Sequence, residues 1–411
     1  MYPKRNLPTF LALTLLVLLA SVFLVHTAIP AAQRLSSGFL AYYVGAQLIR
    51  EGEPGDQLYD DQRFAARVME VSEGAVTDVY LSNPPTLAVA WLPFSYLSVE
   101  TARRVWIGLS VLCLCIALLL IAQEFAWSRK LWAIVALSAL FTLPVPAREQ
   151  FLVGQMYALL LLLHVIGWRA YIGRRDAIAG VALGLAMVLK ISGWPIGLLF
   201  IARRRWSAVW WTVATAVAAV LITLPLVGVA AWRALFTTAI PYVMRWPAAT
   251  LTAYQDTTGF WQHLFRYDAE LNPAPLVDAP ALASLLTLGT TIGACLALIA
   301  RRRTAAVDYA AAVALTELLS PAAEQYHYMV LLLPLAVLWR EVWLSRSGTL
   351  AGWSLVATFL LSWPIAYKLP HPPYALLSNY PRLIGGWIVF ATLLYSSRGK
   401  TNARPLSAAH A

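Results

Sequence analysis

The sequence predicts an all-α polytopic membrane protein, and three observations carry that prediction. Composition is the first: 60% of the 411 residues are hydrophobic and 12% are charged, where a soluble domain has roughly 25% charged residues. Such a chain has too little polar surface to face water, and hydrocarbon is the solvent that suits it. Arrangement is the second, because the apolar residues fall in long runs separated by short polar joints. Charge is the third. The net +11 sits in small basic clusters between the runs, which is the positive-inside pattern and not a nucleic-acid footprint. The 17 Trp and 18 Tyr fit the same picture, since amphipathic rings collect at headgroup level.

The elements follow in order. Residues 7–28 form the first apolar run, after a basic start at Lys4 and Arg5. At about 20 residues it is longer than the core of a signal peptide and long enough to span, so it reads as a retained anchor. Further runs lie near 84–99, 105–123, 131–145, 153–172, 177–190, 194–202, 207–230, 281–300, 305–320, 328–340, 349–366 and 382–397. Several fall short of the roughly 17 residues a straight span needs, which predicts tilted, broken or partly inserted helices.

Basic clusters at Arg129–Lys130, Arg169/Arg174/Arg175, Arg203–Arg205, Arg301–Arg303, Arg340/Arg346 and Arg398/Lys400/Arg404 recur after every second run from residue 130 onward. That recurrence puts both termini inside, and thirteen runs cannot all cross between two inside termini. The run 84–99 is assigned as re-entrant or interfacial, leaving about 12 transmembrane helices. The chain is thus one integral membrane domain, 1–411. Its parts are a first span (7–28), an outer loop (29–83), a membrane core (84–230), a second outer loop (231–280), C-terminal spans (281–397) and a cytoplasmic tail (398–411). No internal repeat is visible, which weakens a transporter reading. Cys113, Cys115 and Cys295 lie inside apolar runs and read as small core residues, with no disulfide or metal spacing.

Chemistry-bearing residues gather on the predicted outer side. The first loop holds Glu51, Glu53, Asp56, Asp60, Asp61, Glu70, Glu73 and Asp78, with Tyr42, Tyr43, Tyr59 and Tyr80. Within it "AYYVGAQLIREG" has helical spacing with an apolar face and suggests a helix along the membrane surface. "EGEPGDQLYDD" reads as a turn. Any one of these carboxylates is most simply an ordinary surface acid. Gly154–Gln155 stand where a helix begins on the outer side. An amide beside glycine suits a sugar hydroxyl approaching the backbone, or equally a capped, packed helix start. Lys190 ends an apolar stretch before the break "SGWP". An ammonium placed so must snorkel, pair or bind an anion such as phosphate.

Glu317, Glu324 and His327 occupy a later outer helix end, where the histidine is either structural or a phosphate or proton partner. "YQDTTGFWQHLFRYDAELNPAP" supplies Gln255, Asp256, Trp261, His263 and Arg266 on a second surface helix. There is no phosphate-binding glycine loop, nucleophile elbow or zinc spacing. ATP-driven and metal-dependent hydrolytic chemistry therefore lack support.

These pieces, in this order, resemble glycosyltransferase family 87 of the C-type membrane glycosyltransferases. The resemblance rests on "GFLAYYVGAQLIREG…LYD", Asn83–Pro84–Pro85, Gly154–Gln155, a Gly184-Leu185-Ala186…Lys190…Pro195 segment before Arg203–Arg205, and Ser320-Pro321…His327 before "LLLPL". It implies transfer of a sugar, mannose- or arabinose-like, from a polyprenyl-phosphate donor to an extracytoplasmic lipid or glycan acceptor. It further implies inversion at the anomeric carbon, no cofactor and no metal, and a multi-pass protein of the bacterial cytoplasmic membrane. Membrane lipids are partners and nucleic acid is not.

The family's catalytic aspartate precedes Phe-x-x-Tyr-Tyr, and this chain has Gly38 there. A glycine is no base, so either another carboxylate of the loop acts or activity is lost. Asp78 is the first substitute, then Asp60 and Asp61, with His327 as a further acid–base candidate. Tyr42, Tyr43, Asn83, Gln155, Lys190, Glu324, Gln255, His263 and Arg266 complete the expected site as substrate-binding residues. A lipid or sugar transporter, and an inactive relative that binds polyprenyl lipid, are the alternative readings.

Overall fold

A computed structural model of the chain describes residues 6–81, 83–124, 130–142, 145–245, 247–363 and 375–396. Lys4, Arg5, Arg129 and the expected tail 398–411 lie outside the described residues. Among the described residues every regular element is a helix, apart from two isolated bridges, Tyr254 with Glu324 and Asp268 with Asn272.

Five helical stretches are long and apolar enough to cross a bilayer: Pro8–Gln33, Val99–Ala122, Trp206–Met244, Pro280–Ile299 and Gln325–Ser345. The pair Leu131–Leu140 and Val145–Val153, bent by 71°, makes a sixth if it counts as one span. The count of about 12 from the sequence is therefore not reached by full-length helices. Several apolar runs became shorter helices: Tyr157–Ile172, Asp176–Lys190, Trp194–Ala202, Ala305–Leu318, Gly348–Ser362 and Pro381–Ser396. At 1.5 Å per residue, 16 residues reach about 24 Å, less than the ~30 Å hydrocarbon thickness.

Burial explains how short helices persist. Ala306 to Leu318 are all buried, and that helix packs on Pro381–Ser396, Trp194–Ala202, Leu332–Ser345 and Tyr157–Ile172. Its run of alanines lets four neighbours approach closely, where van der Waals contact replaces hydrophobic drive. By contrast, Trp206–Met244 leaves Trp210, Leu221, Ile222, Val229 and Phe236 exposed, the surface a lipid-facing helix needs.

The run 84–99 forms only Pro85–Ala90 and the 3-10 turn Leu92–Tyr96. Six residues rise about 9 Å and cannot cross. Arg103 follows at the start of the next helix. It is 1% exposed and donates to the carbonyls of Ala31, Phe151 and Leu152. It therefore ties its own helix to the segments at Ala31 and at Phe151–Leu152.

Two readings of the loops change. The "AYYVGAQLIREG" segment is indeed helical, Ser37–Arg50, but nearly every residue from Gly38 to Ile49 is buried. The helix is covered by the Asp61–Val71 helix and the Pro85–Tyr96 segment, so it is a core element and not a surface one. The second loop is shorter than 231–280, because the Trp206 helix continues to Met244 across breaks at Pro225 and Gly228 (φ 72°). Of the cysteines, Cys115 is exposed on the Val99–Ala122 span, while Cys113 and Cys295 are half-buried, so the first of these is no core residue.

Candidate active site

Lys190 is the last residue of the helix Asp176–Lys190, and Ile191 follows in the left-handed region with φ 51°. A cation at a helix C-terminus is favoured by the dipole. The left-handed turn, continued through Gly193 at φ 95°, stops the helix there. A β-branched residue with positive φ is strained by about 1–2 kcal/mol, which marks the position as one held by its surroundings.

Three other segments converge on the ammonium. Lys190 Nζ donates to Asn83 Oδ1 at 2.7 Å, to Gln155 Oε1 at 3.2 Å and to Tyr42 Oη at 3.3 Å. It also lies 5.4 Å from the Tyr42 ring centroid. Tyr42 Oη donates in turn to Gln155 Oε1. Each partner is fixed from behind. Asn83 Nδ2 donates to the Tyr80 carbonyl at 2.7 Å and the Asn83 carbonyl accepts from Tyr59 Oη at 2.8 Å, which turns Oδ1 toward the lysine. Gln155 sits in the break between Val145–Val153 and Tyr157–Ile172. Gly154 adopts φ 76° there, and a Cβ at that position would run into the Arg103 guanidinium. Tyr42 lies on the buried helix Ser37–Arg50, its ring 5.0 Å from Trp91.

All three contacts are to neutral oxygens, and among the described residues Lys190 forms no ion pair. The carboxylates whose charges bear on it are Asp78 and Glu324. His327 feels the lysine charge in turn, stacks on Tyr326 at 4.7 Å and meets Tyr157 at a tilt, 4.4 Å away. The result is a half-buried cation on Tyr42, Asn83 and Gln155, within electrostatic reach of two carboxylates and an imidazole. That arrangement can hold an anionic leaving group beside a proton acceptor.

The structure thus brings together Tyr42, Asn83, Gln155 and Lys190 in direct contact, with Asp78, Glu324 and His327 within reach of the lysine's charge. It places the other residues singled out in the sequence elsewhere. Tyr43, turned about 100° around the helix from Tyr42, donates to the Leu97 carbonyl at 2.7 Å. Asp60 is exposed and caps the helix Asp61–Val71 by accepting from the Arg63 amide, and Asp61 is exposed beside it. Glu51, Glu53 and Glu70 pair with Arg67 or Arg63. Gln255 is buried, donating to the carbonyls of Thr252 and Asn379. His263 is buried with Nδ1 2.7 Å from the Thr250 carbonyl. Arg266 lines a separate cavity in the second loop.

Sequence reasoning missed Tyr157 and Tyr326, the rings that hold His327. Their only signal was "QMYA" and "EQYHY" beside residues already singled out. Gly38 borders the site from the first loop: a Cβ there would lie 2.5 Å from Gln155 Nε2 and 2.8 Å from Val153 Cγ1. Gln155 therefore fills the space into which a side chain at 38 would project. Among the described residues no cluster of His, Cys, Asp or Glu has metal-binding geometry.

The described residues thus form a helical bundle with lipid-facing helices and a lysine-centred polar cluster inside it. A sequence profile of glycosyltransferase family 87 matches residues 80–321, more than half of the chain, and the chain belongs to that family. The match takes in Asn83, Gln155 and Lys190, and it leaves Gly38, Tyr42 and Asp78 before it and Glu324 and His327 beyond it. The chain is also similar to the polyprenol-phosphate-mannose-dependent alpha-(1-2)-phosphatidylinositol mannoside mannosyltransferase of Mycolicibacterium smegmatis. The two are 27% identical over 356 residues, covering 77% of this chain and 75% of that protein. No solved structure matches the chain.

Proposed function

We propose that this membrane glycosyltransferase moves a mannose- or arabinose-like sugar from a polyprenyl-phosphate donor to a lipid or glycan acceptor on the extracytoplasmic face of a bacterial cytoplasmic membrane. The observation that carries this reading is the Lys190 ammonium, held by the neutral oxygens of Asn83, Gln155 and Tyr42. Its charge stays available to the phosphate that departs. The mycobacterial relative, named for its dependence on polyprenol-phosphate-mannose, supports the donor class.

In the proposed reaction the acceptor hydroxyl attacks the anomeric carbon as the bond from that carbon to the phosphate oxygen breaks. The bonding pair leaves with the phosphate, and Lys190 stabilises the negative charge that develops there. Asp78, whose charge reaches both Lys190 and Tyr42, takes the proton of the hydroxyl. Glu324 and His327, which interact with the lysine's charge, position the sugar or the phosphate. A single displacement inverts the anomeric centre. Energy comes with the donor, and no cofactor is required.

One observation favours a second reading, in which the protein binds polyprenyl lipid without transferring sugar. Gly38 stands where the family's aspartate is expected, and Gln155 fills the adjoining space. Purified protein in nanodiscs, incubated with radiolabelled polyprenyl-phosphate-mannose or polyprenyl-phosphate-arabinose and a membrane-lipid extract, separates the two. Label entering a new lipid product, and failing to enter with Asp78→Asn, supports transfer. Donor binding with no product from the wild type supports the second reading.

A further inference from the structure

A second polar cavity, of about 300 Å³, lies in the second loop, away from Lys190. Arg245 and Arg266 both line it, together with Thr258, Gln262 and Ser284. Among the described residues neither arginine forms an ion pair. Gln262 Oε1 is buried with no protein partner among the described residues. Two guanidiniums with no ion-pair partner, beside hydroxyls and an amide, form a donor-rich wall suited to an oxyanion. The orphaned carboxamide oxygen is an acceptor for a hydroxyl next to it.

Asp256 also lines this cavity, and its charge must be accounted for. Its two oxygens face inward, accepting from the Gly259 amide at 2.9 Å and the Ala323 amide at 3.1 Å. Those bonds draw its lone pairs toward the backbone and away from a ligand. Asp268, an acid whose charge interacts with Arg266, turns one oxygen to the amides of Glu270 and Leu271.

The cavity adjoins the site already described through one stretch of chain. Pro321 and Ala322 form part of its wall, and the same segment continues into Glu324 and His327. Tyr254 bridges to Glu324 and the Gln255 amide donates to the Ala323 carbonyl. The second loop is thereby fastened to the segment that carries Glu324 and His327.

We propose that this cavity binds a phosphate ester carrying adjacent hydroxyls, through Arg245 and Arg266. The inference deepens the proposed glycosyl transfer and rests on that reading for its role, though binding itself does not require it. The phosphate belongs to one of two sources: the headgroup of a lipid acceptor, held while its hydroxyl reaches past the 321–327 segment, or the polyprenyl donor.

The test uses full-length protein in nanodiscs of zwitterionic lipid, with affinities read by equilibrium binding of radiolabelled sn-glycerol 3-phosphate and of polyprenyl phosphate. Glycerol serves as the neutral competitor. The expected result is saturable glycerol-phosphate binding, unaffected by glycerol and weakened at least tenfold in Arg245→Gln/Arg266→Gln. The double Lys variant should fall between the wild type and the Gln pair, since charge persists while the bidentate fork is lost. Lys190→Gln, in the first site, should leave glycerol-phosphate binding unchanged. Polyprenyl phosphate weakened by the Gln pair in place of glycerol phosphate assigns the cavity to the donor phosphate. No saturable binding of either probe, or binding indifferent to both arginines in protein that stays monodisperse, overturns the proposal. Binding that behaves as expected in a protein with no transfer activity leaves this inference standing and removes the catalytic reading.

Discussion

Lys190 Nζ and Asn83 Oδ1 lie 2.7 Å apart although 107 positions separate them in the sequence. The contact joins the end of one membrane helix to the Asn-Pro-Pro segment that opens the short run 84–99. With Asn83 Nδ2 committed to the Tyr80 carbonyl, the amide has one orientation, and Lys190 is aimed by its surroundings.

In the proposed reaction Lys190 acts mainly in the transition state, on the charge that develops at the departing phosphate. Lys190→Gln should lower transfer by about 100-fold or more, the scale of losing one oxyanion-stabilising donor, with a smaller change in donor KM. Asn83→Ala should lower it by roughly tenfold through misplacement of the ammonium. Initial rates over a range of donor concentrations check both. A Lys190→Gln protein with unaltered kcat would remove the lysine from the mechanism.

Gly38 gives a prediction about packing. An alanine there sets a methyl against Gln155 Nε2 and Val153 Cγ1 at 2.5 and 2.8 Å, closer than carbon atoms tolerate. The amide end is able to swing, so Gly38→Ala should destabilise by about 1–3 kcal/mol and disturb the Lys190–Gln155 bond. Pairing it with Gln155→Ala should recover most of the loss. Thermal unfolding of the two single variants and the double, as a mutant cycle, reads this coupling. Strict additivity would show that Gln155 does not occupy the space beside residue 38.

Much of this was legible in the sequence, and the reasons are physical. Composition and run length declared an all-helical membrane chain. The Gly-Gln break and the Lys before "SGWP" were readable because a backbone interruption beside a polar group is costly in an apolar segment. The number of full-length spans was not readable. Hydropathy counts apolar residues but cannot tell a lipid-facing helix from one such as Ala305–Leu318, whose burial inside the protein permits a short length. The helix Ser37–Arg50 misled for the same reason, since an apolar face pairs equally well with lipid or with neighbouring protein. Gln255 and His263 look like ligands in a polar loop, and only tertiary structure shows that backbone carbonyls engage them.

Ile191 tests the strain beside the lysine. It holds φ 51° with 44% of its surface exposed, so its side chain contributes little burial. Ile191→Gly should therefore stabilise the protein by about 1 kcal/mol by relieving the left-handed penalty. A lower unfolding temperature would mean that the side chain packs against something that matters more than the backbone strain.

Asp256 predicts a pH dependence. Burial pushes its carboxyl up to about 6, the largest influence, while the amides of Gly259 and Ala323 pull it down. The unfolded chain releases this proton near 3.9, so between pH 4 and 6 the folded state keeps a proton that the unfolded state has lost. Stability must therefore fall as pH rises through that window and level off above it, and acidification from pH 7.5 to 5 should restore about 1–2 kcal/mol. Asp256→Asn should begin less stable, because one carboxylate oxygen that accepts from an amide becomes an NH2 group that cannot. It should also lack this pH-dependent component. Unfolding temperatures of both proteins at pH 5, 6 and 7.5 give the comparison, and the difference between them cancels titration elsewhere. A difference that does not change with pH would mean that Asp256 is ionised throughout the range, its amide bonds outweighing its burial.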